Sequence, residues 1–565
     1  MTTLGPSGTT PTLYFKMVGG NIRVSFDSNN YNTITHWPVT INNESTDPSN
    51  PVLRIIFVTD LTFTSAIQYF ICETSRIQFG NQLVRDSGSC ATITIDGVSN
   101  YPGLIQTPPD LDSISAFNLS IHSTNGSTLA ENGGWIGQNG FAENGTNFLI
   151  VNCHSDGDIS ANGGGIIGAN AFGINADTLN DRLPSLKIIG CSSSGEIISG
   201  GGIIGTHAGN LISGDLTQNY ELSIIGCWSE GSISEINSGG IIGTNAGGGN
   251  PEKYISIRAE NCYSTGLLSH GGSGGIFSMN SFKCVARNCY SLGDISQDDS
   301  GGIFAYDANY PTAENCYSTG DISSPGSGGI FGNTVYYETV EHCYTSGASS
   351  YIYNNNTSAV PPTCYSEEAN GSSGWNTAHA STTLRYVFPD QHVFPDQQPV
   401  WIEIGTNQPF ELFRLGYTPY IRGIFDSDAK KFVTNNQLTR NAGETTPPAL
   451  IIEGREYSLV GDSHGMTINP DTGAITIPSD TPDNDYTLFV RYTGSYYYST
   501  VSLIVGLGAP APAPSCCPSS TELKGLEFAV RTNVKEGVLI RQGPSFGPLA
   551  YSDLMKIRKA NAFVR

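Results

Sequence analysis

The chain has 565 residues, of which 67 are glycine and only 14% are charged. That profile excludes a mainly helical enzyme and points to an all-β protein of two to four domains with sizeable cores. The formal net charge of −23 argues against a nucleic-acid partner and favours solubility.

No stretch approaches 18 apolar residues, so no membrane span is expected. The N-terminal MTTLGPSGTTPTLYFKMVGG has neither a basic n-region nor an apolar h-region. A chain made in the cytoplasm is the expectation. Residues 1–70 read as strands (TLYFKMV, NIRVSF, TITHWPVTI, PVLRIIFVTD) without a repeat. An N-terminal cap is expected there, with an attachment or oligomerisation surface as the second reading. Residues 71–121 read as lead-in coils, with ATITIDGVSNYPGLIQ as strand, turn and strand. Cys72 and Cys90 fall in this stretch, off the spacing that follows.

From His122 to Tyr365 one unit recurs. Its clearest copies are NCYSTGLLSHGGSGGIFSMNS, NCYSLGDISQDDSGGIFAYDA and NCYSTGDISSPGSGGIFGNTV. Cysteines stand at Cys153, Cys191, Cys227, Cys262, Cys289, Cys316, Cys343 and Cys364, giving steps of 38, 36, 35, 27, 27, 27 and 21. The basic period is 27, and an upstream copy places His122 where the others have Cys. Each unit offers three short extended segments: one with the Cys, one around G-D-I-S and one around G-G-I-[IF]-G. They are too short and too glycine-rich for helices. Stacked units of this kind make a parallel β-helix over 71–375, a rod of roughly 40 Å at about 4.8 Å per coil.

Alternation turns the Cys, the Ile of G-D-I-S and the first Ile of G-G-I inward, each onto its own copies. A ladder of buried, reduced thiols is the favoured reading of the eight cysteines; a few disulfides between neighbouring coils are the second. Tyr263, Tyr290, Tyr317 and Tyr344 follow ladder cysteines and should face outward. An exposed ladder would suit a glycan-binding face, and sheet-surface packing is the plainer explanation. The longer steps carry insertions at one point of the unit, so polar loops should form a ridge on one side of the rod.

These units resemble the GLUG-type repeat, on Gly328, Gly329, Ile330, Phe331 and Gly332 followed by Glu341 to Tyr344, and on the equivalent residues of the other copies. The resemblance implies a β-helical stalk in a surface or adhesin-like protein and implies no reaction.

Residues 376–430 read as an aromatic-rich closing segment. Trp375, Trp401 and Gly416 to Tyr420 resemble the Trp-containing stretch that closes GLUG solenoids, with large aromatics shielding the last coil. Residues 431–507 resemble Ig- and cadherin-like modules, which implies a small β-sandwich. Asn469 to Gly473 is a hairpin signal. Ser479 to Asp485 is read as a solvated acidic turn, with calcium binding as the minority alternative. A Pro/Ala linker spans 508–522 and holds Cys516 and Cys517, candidates for intermolecular thiol chemistry or a metal.

Residues 523–565 form a basic element. From Ser519 onward there are eight Lys/Arg and four Asp/Glu, so 8 − 4 = +4. A short helix over 552–560 is expected, with Arg541, Lys556, Arg558 and Lys559 as docking residues.

No P-loop, H-E-x-x-H or C-x-x-C occurs, and no catalytic residue, metal site or cofactor is assigned. Asp294, Asp298, Asp299, Glu314 and Asp321 lie on successive coils, and paired carboxylates there would suit a glycan depolymerase. The leading expectation is non-enzymatic: a homo-oligomeric β-helical surface or fibre-like component of a larger assembly, docking through its C-terminal element. A virion surface fits a signal-less chain, and a glycan-binding adhesin is the alternative. Partners would be other structural proteins of the assembly and cell-surface glycan, not nucleic acid or membrane.

Overall fold

The computed structural model describes residues 2–4, 12–43, 53–81 and 92–384, apart from 27, 29, 112, 118, 161, 180–182, 237, 354–359 and 371. Further on it describes 387–388, 401–402, 409–412, 425–426, 431–432, 437–440, 442–445, 457–460, 463–482, 484–492 and 499–505. The chain divides into two compact units, Met1–Tyr417 and Thr418–Arg565.

The first unit is strand-rich and built from long parallel sheets. Its pairings follow the repeat: Tyr263 pairs with Tyr290, Tyr290 with Tyr317, Tyr317 with Tyr344 and Tyr344 with Tyr365. This ladder belongs to an 11-stranded sheet, and the strands just before Cys153 to Cys343 make up half of a 14-stranded sheet. Most of the remaining segments meet their copies one residue per coil, as Gly274 meets Gly301 and Phe277 meets Phe304. A 27-residue sequence period thus becomes one coil, consistent with a solenoid of the β-helix kind.

The segment carrying the Cys is not one strand, as the pattern suggested, but two meeting at a corner. Asn315, between Thr312–Glu314 and Tyr317–Ser318, is left-handed at φ 57°, and Asn152, Gly190, Gly226, Asn261 and Asn288 repeat the conformation. Asn and Gly enter that region at least cost, and one or the other precedes six of the eight ladder cysteines; His342 takes the same conformation, at φ 54°, before Cys343. The corner also moves one assignment. The backbone N–H of His154 donates to Leu119, as that of Ser192 donates to Cys153. Leu119 therefore holds the Cys place in its coil, and His122, three residues on, pairs at the surface with Asp156.

Glycine at the corner after the tyrosine strand answers a packing demand. A Cβ on Gly293 would lie 1.8 Å from the carbonyl oxygen of Gly266, and one on Gly320 2.0 Å from that of Gly293. Coils can stack at strand spacing there only without side chains.

The interior has two compartments. Cysteines and both residues of G-G-I-[IF] join the main core. The Ile of G-D-I-S does not: Ile159, Ile197, Ile233, Leu268, Ile295 and Ile322 make a separate stack. Serines facing the glycine pair divide them. Ser155 Oγ donates to Gly165 O at 2.6 Å, and Gly302 leaves room for Ser318.

Coil stacking also extends upstream of the visible repeat. Leu53–Phe57 pairs in parallel with Thr12–Val18 and with Ile77–Asn81, and Thr92–Asp96 pairs with Leu61–Phe63. Phe15, Phe57, Phe70 and Phe79 fill this end, where different core residues hide the period. Cys72 is buried in the same region, paired with Ile41.

The second unit contains a four-stranded sheet in the order Gln437–Arg440, Ser499–Val505, Asn484–Tyr492, Tyr457–Val460, its first pair parallel and the others antiparallel. Met466, Ile475, Ile477, Leu488, Val490 and Leu503 are in its core. The expected turn is present: Thr467–Ile468 pairs with Ile475–Thr476, Asn469 Oδ1 accepts from the N–H groups of Asp471 and Thr472, and Gly473 is left-handed.

Candidate functional site

The cysteine ladder is built by exact repetition of one local geometry. All eight cysteines are buried, and none of them forms a disulfide in this structure. Cys289 Sγ lies against the carbonyls of Arg287 and Ala259, at 3.3 and 3.4 Å. Cys316 Sγ meets Glu314 and Ala286 the same way, and Cys191, Cys227, Cys262 and Cys343 repeat the pattern. Burial pushes the thiols of Cys191, Cys227, Cys289 and Cys316 above their ordinary range. Cys284, outside the ladder, is also buried and pushed up to about 12 by burial.

The tyrosines that follow the cysteines do lie on the opposite side of the strand, but they are not exposed. Tyr263, Tyr290, Tyr317 and Tyr344 are 3, 8, 1 and 0% accessible. Neighbouring rings stack at 4.7 Å and 2°, then 4.9 Å and 5°. The chain's own closing segment covers them. Trp401 packs on Tyr290 and Tyr317, and Trp375 on Tyr317, Tyr344 and Phe410. Tyr317 donates its hydroxyl hydrogen bond to Phe410 O at 2.5 Å. The two Trp side chains therefore lie along the rod wall.

The same segment is pinned by Glu367, whose side chain is 2% exposed. One carboxylate oxygen accepts from Tyr344 Oη at 2.8 Å and meets His379 Nδ1 at 2.8 Å; the other accepts from Ser372 Oγ at 2.8 Å. His379 sits on the helix Thr377–Thr383, capped by Asn376.

The carboxylates along the coils hold neighbouring coils together. Asp294 accepts from the N–H of Asp321 at 2.9 Å, and Asp321 from that of Ala348 at 2.6 Å. Asp298 accepts from Ser324 and from Gly326 N–H, and Asp299 from Asn333 at 3.1 Å. Glu314 lies on the sheet before the Cys corner and is paired to Arg287 at 2.7 Å.

A second aromatic ladder stays open. Lys283, Tyr310 and Tyr337 occupy one place in three successive coils, 27 residues apart. Tyr310 and Tyr337 stack at 4.8 Å and 13°, and Lys283 Nζ lies 4.2 Å from the Tyr310 ring centre and 5.1 Å from that of Tyr254. Tyr337 is 72% exposed and its neighbour Tyr336 45%. Lys283, Tyr310 and Tyr337 are all left-handed, with φ 54–56°. Bulky residues in that region cost roughly 1 kcal/mol each where Gly or Asn would fit more easily. The signal was available in the sequence as FKC, NYP and YYE at the 27-residue period, but no consensus residue marks it.

The insertions do emerge together. Ile174–Asn175 pairs in parallel with Leu211–Ser213, and Leu183 and Ile212 are 65 and 45% exposed. Cys516, Cys517, Arg541, Lys556, Arg558, Lys559 and the helix expected over 552–560 lie outside the described residues, as does Asp483 of the acidic turn. Among the described residues no group of three or more His, Cys, Asp or Glu could hold a metal ion, and no helix is long and apolar enough to cross a membrane. No protein family, curated protein or solved structure matches the chain.

Proposed function

We propose that the protein is a non-enzymatic structural or attachment component, a rigid rod that presents an open side to a partner within a larger assembly such as a virion surface. The observation that carries this reading is the contrast between the two aromatic ladders. One is sealed by the chain's own Trp375 and Trp401. The other, Lys283, Tyr310 and Tyr337, is open and held in a costly backbone conformation. The coil carboxylates accept hydrogen bonds from neighbouring coils, which fits a structural wall better than a cleft for glycan cleavage.

In this reading the solenoid is a GLUG-like parallel β-helix, and the antiparallel hairpin of Thr12–Val18 and Asn21–Ser25 covers its N-terminal end. The second unit is an Ig-like spacer, an assignment supported by the parallel pairing of Gln437–Arg440 with Ser499–Val505 within an otherwise antiparallel four-stranded sheet. The basic residues after 522 dock the rod. A glycan-binding adhesin is the second reading, favoured by the exposed Tyr337 ring, whose flat apolar surface with a cation nearby suits a sugar.

The test compares incorporation of the full chain, and of a chain ending at 507, into the native particle or envelope. Loss of incorporation on truncation supports docking through the tail. Unchanged incorporation overturns the tail's role.

A further inference from the structure

We propose that the open ladder binds a glycan with sparse carboxylates, a sugar carboxylate lying against Lys283 and an apolar sugar face on Tyr337. This deepens the glycan-binding reading above and rests on it. One cation carries the inference. The chain has 27 Lys and Arg for 50 Asp and Glu, so a cation on its surface should readily find a carboxylate. Arg258 pairs with Glu221 at 3.7 Å and Arg287 with Glu314 at 2.7 Å. Among the described residues Lys283 has no carboxylate partner. Its ammonium lies instead between two rings, 5.1 Å from the centre of Tyr254 and 4.2 Å from that of Tyr310.

The backbone fixes this residue in place. The N–H of Lys283 donates to Asn309 O at 2.9 Å, and its carbonyl accepts from Ser256 Oγ at 2.7 Å. The rings attract the cation through their faces without replacing a carboxylate. An ammonium has three donors to give, and an arriving carboxylate would take a charge-assisted hydrogen bond from it. Glu338, the acid next to Tyr337, is already hydrogen-bonded to Tyr353.

The other half of the site is apolar. Tyr310 stacks on Tyr337 at 4.8 Å, and Tyr337 and its neighbour Tyr336 remain 72 and 45% exposed. Cation and open ring stand two coil steps apart, roughly 9–10 Å, a span that a disaccharide bridges. Aromatic surface with a single fixed polar group is the make-up of a small-molecule site. The net charge limits the ligand. A densely charged polyanion is repelled by a chain of −23, whereas one carboxylate among uncharged hydroxyls needs only the one cation.

The test measures equilibrium binding of the full chain to three glycans: an oligosaccharide alternating glucuronate and N-acetylglucosamine, the same oligosaccharide with its carboxylates reduced to alcohols, and heparin. The first should bind, the second about tenfold more weakly, and the third no better than the second. Added salt should bring the first down towards the second. Lys283→Gln should abolish the preference for the acidic form and leave binding of the reduced form unchanged. Tyr337→Ala should weaken both, with circular dichroism unaltered in either variant. Equal affinity for the acidic and reduced forms, an acid preference that survives Lys283→Gln, or tighter binding of heparin would each overturn the proposal. Failure of both oligosaccharides to bind would also overturn it. The open ladder as a partner surface is judged separately, by whether Tyr310→Ala with Tyr337→Ala weakens binding to the particle.

Discussion

Asn315 donates a side-chain hydrogen bond to Asn288 Oδ1, 27 residues earlier, at 2.8 Å. Asn288 in turn donates to Asn261 at 3.0 Å. Both lie at the left-handed corner beside the cysteine ladder, so one residue type serves backbone conformation and coil-to-coil bonding together. Asn288→Val should lose both and destabilise the rod by about 2–3 kcal/mol. Asn288→Gly, which keeps the conformation, should cost only about 1 kcal/mol. Urea unfolding followed by circular dichroism separates the two.

The glycine ladder makes a sharper prediction. A Cβ on Gly293 would meet a backbone carbonyl oxygen at 1.8 Å, whereas one on Gly326 finds its nearest atoms at an ordinary 3.4 Å. Gly293→Ala should cost more than about 3 kcal/mol, and Gly326→Ala about 0.5 kcal/mol or less. Equal melting temperatures for the two variants would contradict the stacking.

His154 gives the rod a pH dependence. Burial pushes it down to about 4 from an ordinary 6.5. Its Nδ1 lies 2.7 Å from Ser192 Oγ, and its ring packs against Trp228. Between these pH values the unfolded chain binds a proton that the folded chain does not, so stability rises with pH through the window. It is fully present above about pH 6.5 and declines by about 2–3 kcal/mol as pH falls to 4. His154→Ser, which copies the next coil, should flatten that part of a stability–pH curve.

Trp401 is fully buried over Tyr290 and Tyr317. Trp401→Ala should cost about 3–5 kcal/mol and open the covered tyrosine ladder to solvent. Increased quenching of tyrosine fluorescence by acrylamide would register it; unchanged quenching would place the cover elsewhere.

The parts of this architecture visible in the sequence were those fixed by local repetition. The 27-residue step, the Cys column and the glycines all arise because each coil solves the same packing problem as its neighbour. Contacts that join distant stretches were invisible. Alternation gives the side to which Tyr317 turns, but the Trp401 that covers it comes 84 residues later. The upstream coils stack without a readable period because phenylalanines replace the small residues of the repeat. Lys283, Tyr310 and Tyr337 keep the period, yet two residue types at one place read as variation rather than as a surface.

The central claim is that the rod, docked by its tail, also presents its open ladder to a partner in the particle or envelope without cleaving what it holds. The direct measurement is binding of the full chain, and of the Tyr310→Ala, Tyr337→Ala double variant, to the native particle or cell envelope. The account predicts at least a tenfold weaker interaction for the variant, with unchanged circular dichroism and no new reducing ends released by either chain. Equal binding by both chains, or release of glycan fragments by the unaltered chain, would contradict it.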